Sequence, residues 1–218
     1  MNYNRTNPLS NLIGKLKTKL TGNHSAAGKE TPIIVVSGLP RSGTSMMMKM
    51  LQVGGIPLMT DDIRQADNDN PKGYYEYERV KQLDKGDTAW LPAAQGKAVK
   101  VISMLLKHLP AGHHYQIIFM VRNLDETLAS QKQMLVNRNQ AGEQGDDVQL
   151  KTLFEKHLQQ VKAWLAQQPN MESLYINYNS LLEDPVAQIR RLNQFLGGQL
   201  DTEAMATVVD PDLYRQRV

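Results

Sequence analysis

The stretch Ile33-Ile34-Val35-Val36-Ser37-Gly38-Leu39-Pro40-Arg41-Ser42-Gly43-Thr44-Ser45-Met46-Met47-Met48-Lys49-Met50-Leu51 decides the fold. Its first four residues are a continuous β-branched run, the pattern of a strand buried on both faces of a parallel sheet. Gly38 and Gly43 then frame a loop that reaches Ser45, and Met46 to Leu51 reads as a helix. A strand, a glycine-bearing loop and a helix start together make a phosphate-binding arrangement. Glycines let the backbone fold tightly and turn its N–H groups inward, and the helix N-terminus adds positive potential.

Further strands are predicted outward from this stretch at Ala98–Ile102, Tyr115–Val121 and Leu174–Tyr178. Helical patterns separate them. One puts Leu150, Leu153, Phe154, His157, Leu158, Val161, Trp164 and Leu165 on a single stripe, with His157 as a packed residue rather than a catalyst. Another starts at Asp184-Pro185, an N-cap followed by proline, and stops at Gly197-Gly198. Strands alternating with helices predict an α/β fold: a three-layer sandwich whose central parallel sheet of four to five strands is flanked by helices. Residues 61–73 and 137–149 are polar and rich in turn formers, so both read as loops, the first a candidate lid.

The chain of 218 residues has a formal net charge of +3, which invites a nucleic-acid reading. The surplus is local. Residues 1–30 carry Arg5, Lys15, Lys17, Lys19 and Lys29 against Glu30, a net of +4, and residues 31–218 are net −1. The sequence therefore divides into a basic tail, 1–30, and a domain, 31–218, with no nucleic acid expected as partner. Within the tail Leu9, Leu12, Ile13, Leu16 and Leu20 recur at helical spacing. They predict a short amphipathic helix that either sits loosely ahead of a linker or makes weak contact with a membrane surface or a protein. There is no cysteine, which excludes thiolate chemistry and disulfides, and the five histidines have no metal-ligand spacing. No apolar run is long enough to span a bilayer, so a cytoplasmic location is expected.

The loop departs from the nucleoside-triphosphatase pattern G-x-x-x-x-G-K-[ST], because Thr44 stands where that pattern has lysine. ATP or GTP hydrolysis is disfavoured, and Arg41 with Thr44 and Ser45 suits an anion held without metal. Here the sequence resembles the sulfotransferase family. Pro40, Arg41, Ser42, Gly43, Thr44 and Ser45 match its P-[KR]-S-G-T-[ST] loop for the 5′-phosphosulfate of PAPS (3′-phosphoadenosine 5′-phosphosulfate). Arg122 to Ser130 match its R-[DN]-x-x-[DE]-x-x-x-S segment, which implies that Arg122 and Ser130 hold the 3′-phosphate. Tyr178 to Pro185 resembles Y-E-x-L-x-x-D-P, with Asn179 in place of the glutamate.

The resemblance implies a PAPS-dependent transfer of a sulfuryl group to a hydroxyl or amine of a small-molecule or glycan acceptor, without metal. It makes Arg41 the first candidate to neutralise charge on the leaving phosphate. Asn70 to Glu78 resembles the N-P-x-G-[aromatic]-[aromatic]-E segment of bacterial members, so Glu76 is the candidate general base, with Glu78 in reserve and His108 behind both. Lys100 interrupts an apolar strand and either faces the crevice in a catalytic role or sits at an edge in solvent. Arg215 and Arg217 either close over the donor or belong to a solvated end. Two other readings stay open, a kinase-like nucleotide-binding enzyme and a non-catalytic binding module on the same fold. The sequence says nothing of oligomeric state.

Overall fold

The computed structural model describes residues 31–61, 63–67, 70, 73–137 and 147–210. The basic tail with the helix expected in it, Arg215 and Arg217, Pro71, Lys72 and most of the 137–149 segment lie outside the described residues. Four strands form one all-parallel sheet: β1 (Ile33–Gly38), β2 (Ala98–Lys100), β3 (Tyr115–Val121) and β4 (Met171–Asn177), in the order β2-β1-β3-β4. Val35 pairs with Val99 on one side and Ile117 on the other, and Val36 with Lys100 and Ile118.

The two-residue period of the strands sorts their side chains onto two cores. Ile33, Val35, Val99, Ile117 and Phe119 point to one face, and Ile34, Val36, Ala98, Ile118 and Met120 to the other. Helix α1 (Thr44–Val53) covers the second face through Met47, Met48, Met50 and Leu51, all fully buried. It is joined there by α4 (Tyr178–Glu183), α5 (Pro185–Phe195) and α6 (Thr202–Ala206). The first face is closed by 3-10 segments at Glu78–Lys85, Leu91–Ala94 and Ser103–His108 and by α3 (Asp147–Leu165). Helix α2 (Leu124–Asn137) follows β3 directly. The expected three layers are present, with the sheet at four strands.

Local differences have local causes. β2 ends at Lys100 rather than Ile102, because Val101 makes a last bond to the Val36 carbonyl and the chain then turns into the 3-10 segment. Tyr178 opens α4 instead of ending β4, since the Asn177 side chain caps that helix by accepting from Ser180 N at 3.0 Å. The α3 stripe is only half covered. Leu165 is buried and Leu158, Val161 and Trp164 pack on the core, whereas Leu153 is 61% exposed. His157 is half-buried and its Nε2 lies 2.9 Å from Ser103 Oγ, and burial lowers its pKa.

In a parallel sheet the carboxyl ends of all strands lie at one edge. Here the chain leaves β1 for β2 on one side and β3 for β4 on the other, so a crevice opens between the ends of β1 and β3. Gly38 and Met120 are register partners at that point, which sets the 38–45 loop and Arg122 on either side of it.

Candidate functional site

A cavity of about 430 Å³ opens at this crevice. Of the residues singled out from sequence, Pro40, Arg41, Gly43, Thr44, Ser45, Glu76, Lys100, Arg122 and Ser130 line it. Ser42 does not. Its hydroxyl donates to the Leu39 carbonyl at 2.7 Å and its side chain is buried, so it shapes the loop from behind. Glu78 and His108 are also off the lining, and the Glu78 carboxylate pairs with Lys81 at 2.6 Å.

The loop is shaped by two glycines with positive φ, Gly38 at 148° and Gly43 at 95°. A Cβ on Gly43 would lie 2.4 Å from the Tyr178 ring, and one on Gly38 would lie 2.7 Å from the Met120 carbonyl. Arg41 takes φ 69°, a left-handed conformation that costs a non-glycine residue about 1 kcal/mol. The turn this produces points the guanidinium at α2, where Arg41 Nε donates to Ser130 Oγ at 3.0 Å. Just beyond, the first N–H groups of α1 have no carbonyl within the helix to bond.

Arg122 enters from the end of β3. Its Nη1 donates to the Arg41 carbonyl at 3.1 Å, its Nε donates to Glu126 Oε2 at 2.9 Å, and the guanidinium stacks 4.6 Å from the Tyr178 ring centre. Glu126 Oε1 accepts from Asn179 Nδ2 at 2.9 Å. The two sequence segments that resemble anion grips therefore touch each other.

Lys100 faces inward. Because Ala98 and Lys100 share the α1 face of the sheet, the amine reaches Ser45 Oγ at 2.9 Å, and it also donates to the Tyr74 carbonyl. Burial lowers its pKa to about 8, opposed by the nearby Glu76 charge and reinforced by Arg64 and Arg41. Asn70 Nδ2 donates to the same Ser45 hydroxyl at 2.8 Å. Glu76 is bound by Arg64 at 2.7 Å and approached by Lys81 at 3.4 Å, while Arg64 lies over the Tyr74 ring.

Asn70, Glu126, Tyr178 and Asn179 all stand inside the quoted segments, but nothing in the sequence marks their contacts with one another, and Arg64 lies outside every quoted motif. Glu126 sat in plain view inside the second motif, but its partner is 53 residues away. The described residues lining the cavity include six lysines and arginines against Glu76 and Asp210, a strongly positive focus within a domain that is net −1. Such a cavity suits a ligand with several negative charges. Among the described residues no cluster of three or more histidines or acids could hold a metal ion, and no helix is long and apolar enough to cross a membrane.

Comparison with solved structures finds the sulfotransferase domain of the Synechococcus PCC 7002 olefin synthase, at a TM-score of 0.51 and 15% identity over 85% of this chain and 80% of that one. A sulfotransferase domain from the curacin biosynthetic pathway gives 0.47 and 15% over 79% and 76%. No curated protein matches the sequence. The family profile described as "Sulfotransferase domain" matches residues 31–211, a span that takes in the loop, both arginine-bearing segments and the β4–α4 turn. The chain belongs to the sulfotransferase family, whose chemistry is the transfer of a sulfuryl group.

Proposed function

We propose that this protein takes the sulfuryl group from PAPS and passes it to a hydroxyl or amine of a small-molecule or glycan acceptor. One observation carries the reading. The 38–45 loop and the β3–α2 turn are joined by Arg41–Ser130 and Arg122–Arg41 hydrogen bonds within one cavity, so a ligand with phosphates at both ends can bridge them. A donor with a 3′-phosphate and a 5′-phosphosulfate has that charge distribution, and the cationic lining fits it.

PAPS supplies the activated sulfuryl group; the remaining work belongs to the chain. Thr44, Ser45 and the first N–H groups of α1 bind the 5′-phosphate. Arg41 and the buried Lys100 hold positive charge where the leaving phosphate oxygen gains negative charge. Lys100 is fit for this only when protonated, and a pKa near 8 keeps it mostly so at neutral pH. Arg122 and Ser130 grip the 3′-phosphate, with the guanidinium suited to two parallel bonds. Glu76 takes the acceptor's proton once an acceptor displaces its contact with Arg64.

The test is calorimetric titration with PAP, the desulfated donor, against ATP with Mg²⁺. PAP should bind without metal, and Arg122→Ala should weaken it by about 10²-fold, the scale of a lost charge-assisted bidentate contact. Binding of ATP–Mg²⁺ with no binding of PAP would instead establish a kinase-like site.

A further inference from the structure

The Arg122–Glu126 pair is among the most buried ionic contacts of the domain, with side chains 8% and 3% exposed. A buried ion pair is weak evidence of stabilisation, because desolvation offsets most of the attraction. It also places a negative charge beside an arginine in a cavity suited to anions. Some other role has to account for that geometry.

Glu126 acts as a link. Oε2 accepts from Arg122 Nε at 2.9 Å and Oε1 accepts from Asn179 Nδ2 at 2.9 Å, so one carboxylate ties the end of β3 to α4. The guanidinium is then fixed by its Nε bond, by the Nη1 bond to the Arg41 carbonyl and by the Tyr178 ring. Three contacts in different directions define its plane. For a planar donor that pairs with phosphate through two parallel bonds, the plane decides whether both bonds form at once.

We propose that Glu126 and Asn179 are positioning residues that hold the Arg122 guanidinium in the orientation that accepts the donor's 3′-phosphate. The proposal rests on Arg122 being a donor-phosphate ligand. The Asn179 amide supplies the N–H that Glu126 Oε1 accepts.

Positioning and simple charge balance predict opposite signs. If Glu126 only opposed the donor's charge, its removal would tighten PAP binding. If it orients Arg122, removal weakens binding even though a negative charge has gone. Calorimetric titration of the full chain with PAP distinguishes these for Glu126→Leu, Glu126→Gln and Asn179→Leu. Loss of fold lowers the number of binding sites rather than the affinity of each.

Glu126→Leu is expected to weaken PAP at least about tenfold, the scale of one charge-assisted hydrogen bond. Glu126→Gln should stay within about threefold of wild type, because its amide oxygen still accepts from Arg122 Nε and Asn179 can turn its own amide to accept from the new N–H. Asn179→Leu leaves the charge unchanged and removes the N–H that Glu126 Oε1 accepts, with an expected loss of about three- to fivefold. If Glu126→Leu does not fold, this last variant, at a half-buried position, decides. PAP binding as tight as wild type in Glu126→Leu, or unchanged in Asn179→Leu, overturns the proposal and leaves the donor reading standing. A wild-type protein that does not bind PAP overturns both.

Discussion

Two strand-to-helix turns meet at the crevice, and they build anion contacts by different means. The β1–α1 turn relies on backbone: two glycines at positive φ, an arginine in a left-handed conformation, and N–H groups at a helix start. The β3–α2 turn relies on side chains, with Arg122 held through Glu126 by a residue from a third element. A backbone site is rigid because its donors cannot rotate away, and it fails when the chain cannot follow the path. A side-chain site is held by hydrogen bonds that can be removed singly, so its failures are graded.

The sharpest break in that comparison comes from Gly43→Ala. The added methyl carbon would stand 2.4 Å from the Tyr178 ring, and φ +95° is strained for any residue with a Cβ. The loop must shift or the ring must leave the position under Arg122. PAP binding is expected to fall by more than about 10²-fold, since misplacing a positioning group by about 1 Å costs that much. Thermal denaturation should show a lower midpoint as well. Gly43→Ala with Tyr178→Ala would recover part of the fold stability but little of the binding, because φ remains strained. Full recovery of binding in the double variant would show that the ring clash, rather than the backbone path, governs the loop.

How much of each turn can be read from sequence follows from the same difference. The backbone site is local: the Ile33–Val36 run, both glycines, Arg41 and the helix start lie within one short stretch, so spacing alone exposes it. Arg122 and Ser130 were legible for a similar reason, as a strand end and the first turns of a helix. The bond between Arg41 and Ser130 spans 89 positions, and the one between Lys100 and Ser45 spans 55. No periodicity encodes such pairs. They follow from strand order, which puts β2 and β3 on either side of β1. Lys100 shows the boundary well: its place in an apolar strand was visible, but choosing between crevice and solvent required its pairing opposite Val36.

Lys100 lies between the two regimes, a side chain whose charge is controlled by burial. Lys100→Met should reduce sulfuryl transfer by about 10²-fold, as expected when one buried charge stabiliser is removed. The same change should stabilise the unliganded fold, because a buried ammonium is costly. The pH dependence has a definite sign. The folded pKa near 8 lies below the ordinary lysine value of 10.5, so between these the unfolded chain binds more protons than the native one. Wild-type stability therefore rises with pH across that window, by an amount on the order of 3 kcal/mol, and that of Lys100→Met should not. Anion binding should pull the amine back to its charged form, so PAP titrated at pH 8 should take up protons. Calorimetry in buffers of different ionisation enthalpy measures this, and zero uptake would remove Lys100 from the phosphate environment.

The smallest effects on PAP binding are expected on the acceptor side, where Glu76 is approached by two cations of unequal exposure. Lys81 is 52% exposed and 3.4 Å from the carboxylate, so screening leaves it little influence. Lys81→Met should change the rate of transfer by no more than about twofold. Arg64 is closer, at 2.7 Å, and is also stacked on Tyr74. Arg64→Met frees Glu76 to accept a proton but loosens the segment that carries it, so KM for the acceptor should rise more than kcat changes. Glu76→Gln separates the two roles of that segment: the amide keeps an acceptor oxygen for Arg64 but cannot take a proton at neutral pH. Transfer should fall by about 10²-fold while PAP affinity stays within about twofold. Equal loss in both measurements would make Glu76 a structural partner of Arg64 and move the base elsewhere in the cavity.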